Sequence, residues 1–529
     1  MMVPLTPIRF LRYAEQQFPR KTAVVCGQQR FTYADFGSRA GRLAGALQSR
    51  GVKAGDRVAF LSTNCHRLLE AYYGVLDASA VLLPVNIRLS PQELGYILND
   101  AGVNILFLES AFLPLVESFR NSVPIKDFVL LDGTPKVNWL AAQNYEELLS
   151  AATPLRRDVM EVDENALAEL FYTSGTSANP KGVMLTHRNV YLHALYVAMA
   201  MKSTHNTVEL HTIPLFHANG WGAAHLITFL GGTHVMIHRF DPVEVFRLIQ
   251  QERVHSCSLV PAMALALVHC PEREKYDLKS LERVSIGGAA SSPTLVRQVE
   301  EKLGCTCYSG YGLTETSPVL TISPMKSGLQ WEGEQRYEGQ ARTGFAIPGV
   351  EIRVVGAGGS DVPPDGKTIG EIWARGDGIM AGYWHDPDAT AQALEGGWFH
   401  TGDMATIDEN GYVLIVDRKK DIIVSGGENI SSLEVEKALA AHPDVYEAAV
   451  IPVPDEQWGE VPKALVVLKP GASVEESDLV EFCRGRLAHY KCPKSIEFLA
   501  SLPKTGTGKF LKKELRKKYW STANLERKL

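Results

Sequence analysis

At 529 residues the chain is too long for one ordinary core, so two or more domains are expected. A net charge of -6, with 45% hydrophobic and 22% charged residues, is the balance of a globular protein and lacks the basic excess that nucleic acid demands. Eight cysteines in this length do not make a disulfide scaffold, and Cys305 and Cys307 lack the C-x-x-C spacing of a redox or zinc site.

The first four-fifths of the chain alternates helical and strand-like segments. The start, with an acidic residue and no apolar core, does not read as a signal peptide. Phe36, Ala40, Leu43 and Leu47 keep helical spacing, and Gly51 supplies a stop. An apolar run from Val58 to Leu61 reads as a strand, His66–Leu76 as a helix, and Val81–Val85 as a strand again. Further runs predict strands at Asn104–Phe107, Ala168–Tyr172, His211–Phe216, Thr233–Ile237 and Val284–Ile286. Runs without polar alternation suit strands buried on both faces. The expected fold class is therefore α/β, with largely parallel sheets covered by helices.

Near Asp417 the pattern changes. Asp417-Arg418-Lys419-Lys420-Asp421 is a run of charge, and Gly426-Gly427 follows, which together predict an exposed connection. Beyond it, Ser431 and Glu434 have the spacing of a capping box at the start of a helix through Ala441. Strands are predicted at Glu447–Val453 and Ala464–Leu468, and a helix near Ser473–Leu487. The expected organisation is a large domain over 1–416, a connection at 417–420 and a small α+β domain over 421–529. No stretch reaches the ~20 apolar residues that span a bilayer, so no stable membrane insertion is expected and a cytoplasmic setting is the simplest. The ending Arg527-Lys528-Leu529 lacks the small first residue of a peroxisomal address.

One loop carries phosphate-binding chemistry. Phe171-Tyr172-Thr173-Ser174-Gly175-Thr176-Ser177-Ala178-Asn179-Pro180-Lys181-Gly182 follows an apolar strand and offers hydroxyls, backbone amides and one lysine, the donors a polyphosphate needs. It is not a Walker A loop, which would end Gly-Lys-Ser/Thr rather than Pro180-Lys181-Gly182. Taken alone, the segment is equally a polar turn.

The loop resembles the signature of the adenylate-forming superfamily, which spans acyl-CoA synthetases, peptide-synthetase adenylation domains and luciferases. Ser177 stands where that pattern usually has threonine, and Ala178 where it has glycine. Four further blocks follow in the family's order: Gly287-Gly288-Ala289, Gly310-Tyr311-Gly312-Leu313-Thr314-Glu315, Thr401-Gly402-Asp403, and Lys504-Thr505-Gly506-Thr507-Gly508-Lys509.

The resemblance implies an AMP-forming acyl-CoA ligase that uses ATP, Mg²⁺ and coenzyme A. In this reading Thr173, Ser174, Gly175, Thr176, Ser177 and Lys181 hold the β- and γ-phosphates. Gly288, Ala289, Tyr311 and Gly312 face adenosine, while Asp403 and Arg418 take the ribose. Thr314 and Lys509 serve the α-phosphate, and Glu315 with Thr176 holds magnesium. Lys420 matches the family's hinge position, which makes the small domain mobile. Gly426, Gly427, Glu428 and Trp458 match positions on coenzyme A.

Phe216-His217-Ala218-Asn219-Gly220-Trp221-Gly222 resembles the wall of the acyl pocket, with His217, Gly220, Trp221 and Gly287 expected to line it. The expected substrate is a medium-chain fatty acid or similar compact hydrophobic acid. An aryl-acid ligase, or an adenylate ligase loading a carrier protein, are the alternatives. A homodimer fits the same family.

Overall fold

The computed structural model describes residues 2–133, 137, 143–173, 179–426, 428–504 and 510–520. Ser174, Gly175, Thr176, Ser177, Gly427 and Lys509 lie outside the described residues. The chain forms two compact units, one of residues 1–352 and 374–399, the other of 353–373 and 400–529.

The first unit is α/β, as its apolar runs predict. One sheet has nine strands, of which the six from Thr306–Gly312 across to Thr22–Cys26 are parallel. A second sheet has eight strands, with six parallel from Leu167–Thr173 to Gln143–Asn144. Strands such as Val81–Pro84 and Ile105–Leu108 are buried throughout, since helices cover such sheets on both faces. Between Val81–Pro84 and Lys181–Thr186 runs Leu167–Thr173, which ends where the segment expected to bind phosphate begins.

The helix read from Phe36 to Leu47 spans Tyr33–Ser49. Thr32 caps it in a reciprocal box with Asp35, and Gly51 follows at φ +77°. The predicted strand His211–Phe216 is corrected. The strand is Val208–His211, and the chain then leaves the sheet. Asn64 causes this: its side-chain amide donates to the carbonyls of His211 (2.7 Å) and Ile213 (3.0 Å), and its oxygen accepts from the Leu215 amide at 2.7 Å. Backbone groups that would have extended the ladder are satisfied by one buried side chain instead.

The second unit holds the strand Phe399–Ile407 from His400 onward and Val413–Arg418, both of a four-stranded sheet, and a five-stranded sheet built on the long antiparallel pair Val445–Asp455 and Gly459–Leu468. The exposed connection expected at Asp417–Asp421 is also corrected, because both acids are buried. Asp417 accepts from the amide (2.5 Å) and hydroxyl (2.6 Å) of Ser432, and Asp421 pairs with the buried guanidinium of Arg516. Only half of the Ser431–Glu434 box forms. The Ser431 hydroxyl accepts from the Glu434 amide at 3.1 Å, but the Glu434 carboxylate turns to Lys491 at 2.8 Å.

Candidate active site

In the first unit the glycine-rich and hydroxyl-rich turns singled out from the sequence sit at strand ends. Thr173 ends its strand and lies opposite Lys181 in the antiparallel ladder, which brings together the two ends of the segment expected to bind phosphate. The Lys181 ammonium lies 3.3 Å from Asp386 and over the ring of Tyr383, 4.9 Å from its centroid. The Ala389 amide holds the Asp386 carboxyl below its ordinary range; burial opposes this, and Lys181 adds to the lowering. Tyr383 in turn donates its hydroxyl to Glu315 Oε1 at 3.0 Å. Lys181, Tyr383 and Glu315 thus form one connected row. Asp386 and Tyr383 were not legible as site residues, since a lone acid and a lone aromatic 200 residues downstream carry no local signal.

Gly312 is required by close approach. A Cβ there would lie 1.7 Å from the Pro318 carbonyl oxygen, closer than any real contact. The turn after it is closed by Thr316, whose hydroxyl accepts from the Leu313 amide at 3.0 Å. Thr314 is buried and Glu315 half-buried in this turn, so the two side chains expected to act stand on a fixed frame.

Gly287 and Gly288 follow the strand Arg283–Ile286, and Ala289 beside them is exposed. Trp221 lies against this pair: a Cβ on Gly287 would be 3.1 Å from Trp221 Cζ3, and one on Gly288 would be 3.2 Å from Cζ2. Gly287 and Trp221, both expected to line the acyl pocket, lie in contact.

The backbone that delivers Trp221 is unusual. Ala218 (φ +43°), Asn219 (+46°), Gly220 (+64°), Trp221 (+56°) and Gly222 (+85°) form an unbroken left-handed turn. Each non-glycine residue in that region costs roughly 1–2 kcal/mol, so three of them need support from the surroundings. His217 precedes the turn in extended geometry. Nearby His193 is buried, accepts from the Val319 amide at 2.9 Å, and is held neutral by desolvation, its pKa lowered to about 3.

In the second unit Asp403 and Arg418 are cross-strand partners, and Arg418 Nε lies 2.8 Å from the buried Asp403 carboxylate. Glu371 secures the turn before Asp403, accepting from the Gly402 amide at 3.1 Å and from Lys419 at 2.9 Å. Lys420 is half-buried, and desolvation lowers its pKa. Trp458 is 44% exposed and lies over Gly426, where a Cβ would meet Cε3 at 2.7 Å; the Gly426 amide donates to the Trp458 carbonyl at 2.8 Å. Glu428 is exposed at the start of the next short strand. Two of the expected coenzyme A positions, in separate turns, therefore touch, with an aromatic side chain partly open to solvent.

Among the described residues no cluster of three or more His, Cys, Asp or Glu side chains is arranged to hold a metal ion by itself. The single carboxylate of Glu315 fits a magnesium ion that takes its remaining ligands from phosphates and water.

Parallel sheets, a hydroxyl-rich segment after a strand end, and an acid–arginine pair in a second unit are features an adenylate-forming enzyme would have. The family model for the AMP-binding enzyme matches residues 11–384, and that for the AMP-binding enzyme C-terminal domain matches 434–509. The chain belongs to this family, and its enzyme class is AMP-forming acid–CoA ligase. It is 36% identical to 4-hydroxybutyrate–CoA ligase 2 of Metallosphaera sedula over 99% of this chain and 96% of that protein. It is 39% identical to a long-chain-fatty-acid–CoA ligase of Thermus thermophilus over 96% and 95% of the two chains. Among solved structures, the anthranilate CoA ligase AuaEII with anthranoyl-AMP superposes with a TM-score of 0.87 at 25% identity, covering 100% of this chain and 99% of that one.

Proposed function

We propose that the chain activates a compact hydrophobic carboxylic acid, of medium chain length or shorter, as its acyl-adenylate and transfers the acyl group to coenzyme A. The observation that carries the substrate class is the Trp221 indole lying against Gly287 and Gly288, since a side chain in that place shortens the space an acyl tail can use. The relatives do not narrow it, because their names cover a short hydroxy acid, long fatty acids and an aryl acid.

A carboxylate cannot expel oxide, so it must first exchange that oxygen for a better leaving group. The carboxylate oxygen attacks the α-phosphorus of ATP, the bond to the β-phosphate oxygen breaks, and pyrophosphate departs. The protein's task is to hold two anions together and to stabilise charge moving onto the leaving oxygens. Thr173, Ser174, Gly175, Thr176, Ser177 and Lys181 would grip the β- and γ-phosphates. The Lys181 ammonium is already held at the loop's base by Asp386 and Tyr383. Thr314 and Lys509 would serve the α-phosphate.

Tyr311, Gly288, Ala289 and Gly312 would frame adenosine, with Asp403 and Arg418 on the ribose. Magnesium, bound through Glu315 with Thr176, would neutralise phosphate charge when present. In the second half-reaction the coenzyme A thiol attacks the acyl carbon and AMP leaves. The segment 417–420, with Lys420 as the hinge, would let the small domain change partners between the steps. Trp458, Gly426, Gly427 and Glu428 would then meet coenzyme A.

Among the described residues no helix is long and apolar enough to cross a membrane. The eight cysteines are all unpaired, which supports a reducing compartment such as the cytoplasm.

The test is acyl-CoA formation across straight-chain acids of increasing length, with aryl acids alongside. The expected result is a maximum in kcat/KM at short or medium length, falling at least tenfold for long chains. Equal efficiency on long chains would overturn the compact-acid reading. Adenylate that accumulates without consuming coenzyme A would favour a carrier protein as acceptor.

A further inference from the structure

Glu169 lies in the middle of the strand Leu167–Thr173, opposite Leu82 on one side and Leu185 on the other, and is fully buried. A carboxylate in an apolar sheet is costly to bury unless its oxygens are satisfied. Both are, and both partners come from the same place. Asn219 Nδ2 donates to Oε2 at 2.9 Å, and His225 Nε2 lies 2.5 Å from Oε1. Asn219 is inside the left-handed turn, and His225 is in the helix Ala223–Leu230 that follows it directly. The carboxylate therefore clasps the turn from the inside and from its exit.

Other bonds complete the grip. Tyr72 donates its hydroxyl to the Leu215 carbonyl at 2.6 Å just before the turn, and Tyr73 donates to the Ala224 carbonyl at 3.2 Å just after it. Asn64 fixes the approach through His211, Ile213 and Leu215. Of these, Glu169 alone reaches a side chain within the left-handed residues themselves. Asn219 has no second anchor, as its Oδ1 is buried without a hydrogen-bond partner. Trp221 stands two residues beyond Asn219, so this clasp bears directly on the conformation that lays its indole on Gly287 and Gly288.

We infer that Glu169 is a positioning residue for acid selection: through Asn219 and His225 its carboxylate holds the left-handed turn that carries Trp221 against Gly287–Gly288. The inference rests on the reading of that wall as the acyl pocket. Glu169 touches no substrate; it acts by fixing where the pocket ends. It also links the pocket to the phosphate loop, because Thr173 ends the same strand four residues later.

Two variants separate the clasp from simple structural support. Glu169→Gln keeps the shape but replaces one of the two carboxylate oxygens with an amide NH2, so the paired acceptors are lost. Asn219→Gly removes the amide while glycine still accepts the left-handed backbone. In both, the KM for the preferred acid is expected to rise tenfold or more and the preference for longer acids to increase. The KM for ATP should stay within about twofold.

Emission from Trp221, taken as the difference between each protein and its Trp221→Phe counterpart, should shift to longer wavelength as the ring leaves the glycine pair. Should Glu169→Gln fail to fold, Asn219→Gly carries the test. Acid KM and selectivity unchanged in a folded variant would overturn the inference, as would unchanged Trp221 emission. If the parent protein activates no acid, the functional reading fails, and the emission shift still decides whether the clasp holds the turn.

Discussion

Lys509→Ala is expected to lower acid-dependent exchange of pyrophosphate into ATP by on the order of 10²–10³, the loss typical of one donor aimed at developing charge. Thioester formation from supplied acyl-adenylate and coenzyme A should stay within a few-fold of the parent. The asymmetry follows from the chemistry. In the first step charge accumulates around the α-phosphate while pyrophosphate leaves, and a cation there lowers the barrier. In the second step AMP leaves, and the reacting centre is the acyl carbon.

Lys504 supplies the control from the same basic block. Its ammonium is 2.5 Å from Glu447, a partly exposed pair on the surface of the second unit. Lys504→Ala should therefore leave both half-reactions within a few-fold, because such pairs contribute little. Equal loss of both half-reactions in Lys509→Ala would contradict its assigned role.

The second large effect is on stability. Lys512 is almost buried, 2.7 Å from Glu436, and donates to the Ser432 hydroxyl at 2.5 Å, which itself donates to Asp417. Burial works against the Lys512 charge, but Glu436, Asp417 and Asp421 outweigh it and raise its pKa. Desolvation raises both acids above their ordinary range, and Lys512 is the largest effect opposing it. Lys512→Met leaves two buried carboxylates without their cation, and breaking such a group costs about 3–5 kcal/mol.

The pH dependence has a definite sign. An acid whose pKa is raised by folding takes up a proton as the protein folds, so the stability it contributes is present at low pH and lost as pH rises through the folded pKa. Without Lys512 both pKa values rise further. The variant should therefore lose more stability relative to the parent at pH 8 than at pH 5. Denaturant unfolding followed by fluorescence of the second unit measures this, and a loss equal or larger at pH 5 would contradict it.

Much of the fold was legible because parallel strands buried on both faces leave continuous apolar runs. Val58–Leu61 became Arg57–Leu61 and Val284–Ile286 became Arg283–Ile286 for that reason. The run His211–Phe216 misled because its backbone is claimed by Asn64, nearly 150 residues earlier, and no local pattern reveals such a partner. Asp417 and Asp421 misled in the opposite way. A run of charge reads as solvent-exposed, but their cations and donors lie in Ser432 and Arg516, on segments that pattern alone does not bring together.

The site divides along the same line. Tight turns such as Gly287-Gly288 and Gly312-Leu313-Thr314-Glu315 are local, so their residues stood out. The contacts of Glu169, Asp386 and Tyr383 form only after folding. A glutamate within an apolar strand carries no signal until Asn219 and His225 are seen on its two oxygens.

The central claim is that this chain joins an acid to the α-phosphate of ATP. Incubating the purified protein with magnesium, ATP, labelled pyrophosphate and a panel of carboxylic acids tests it most directly. Label should enter ATP only when a suitable acid is present, and adding coenzyme A should convert the same mixture to acyl-CoA and AMP. If no acid in a broad panel brought label into ATP, the account would be wrong.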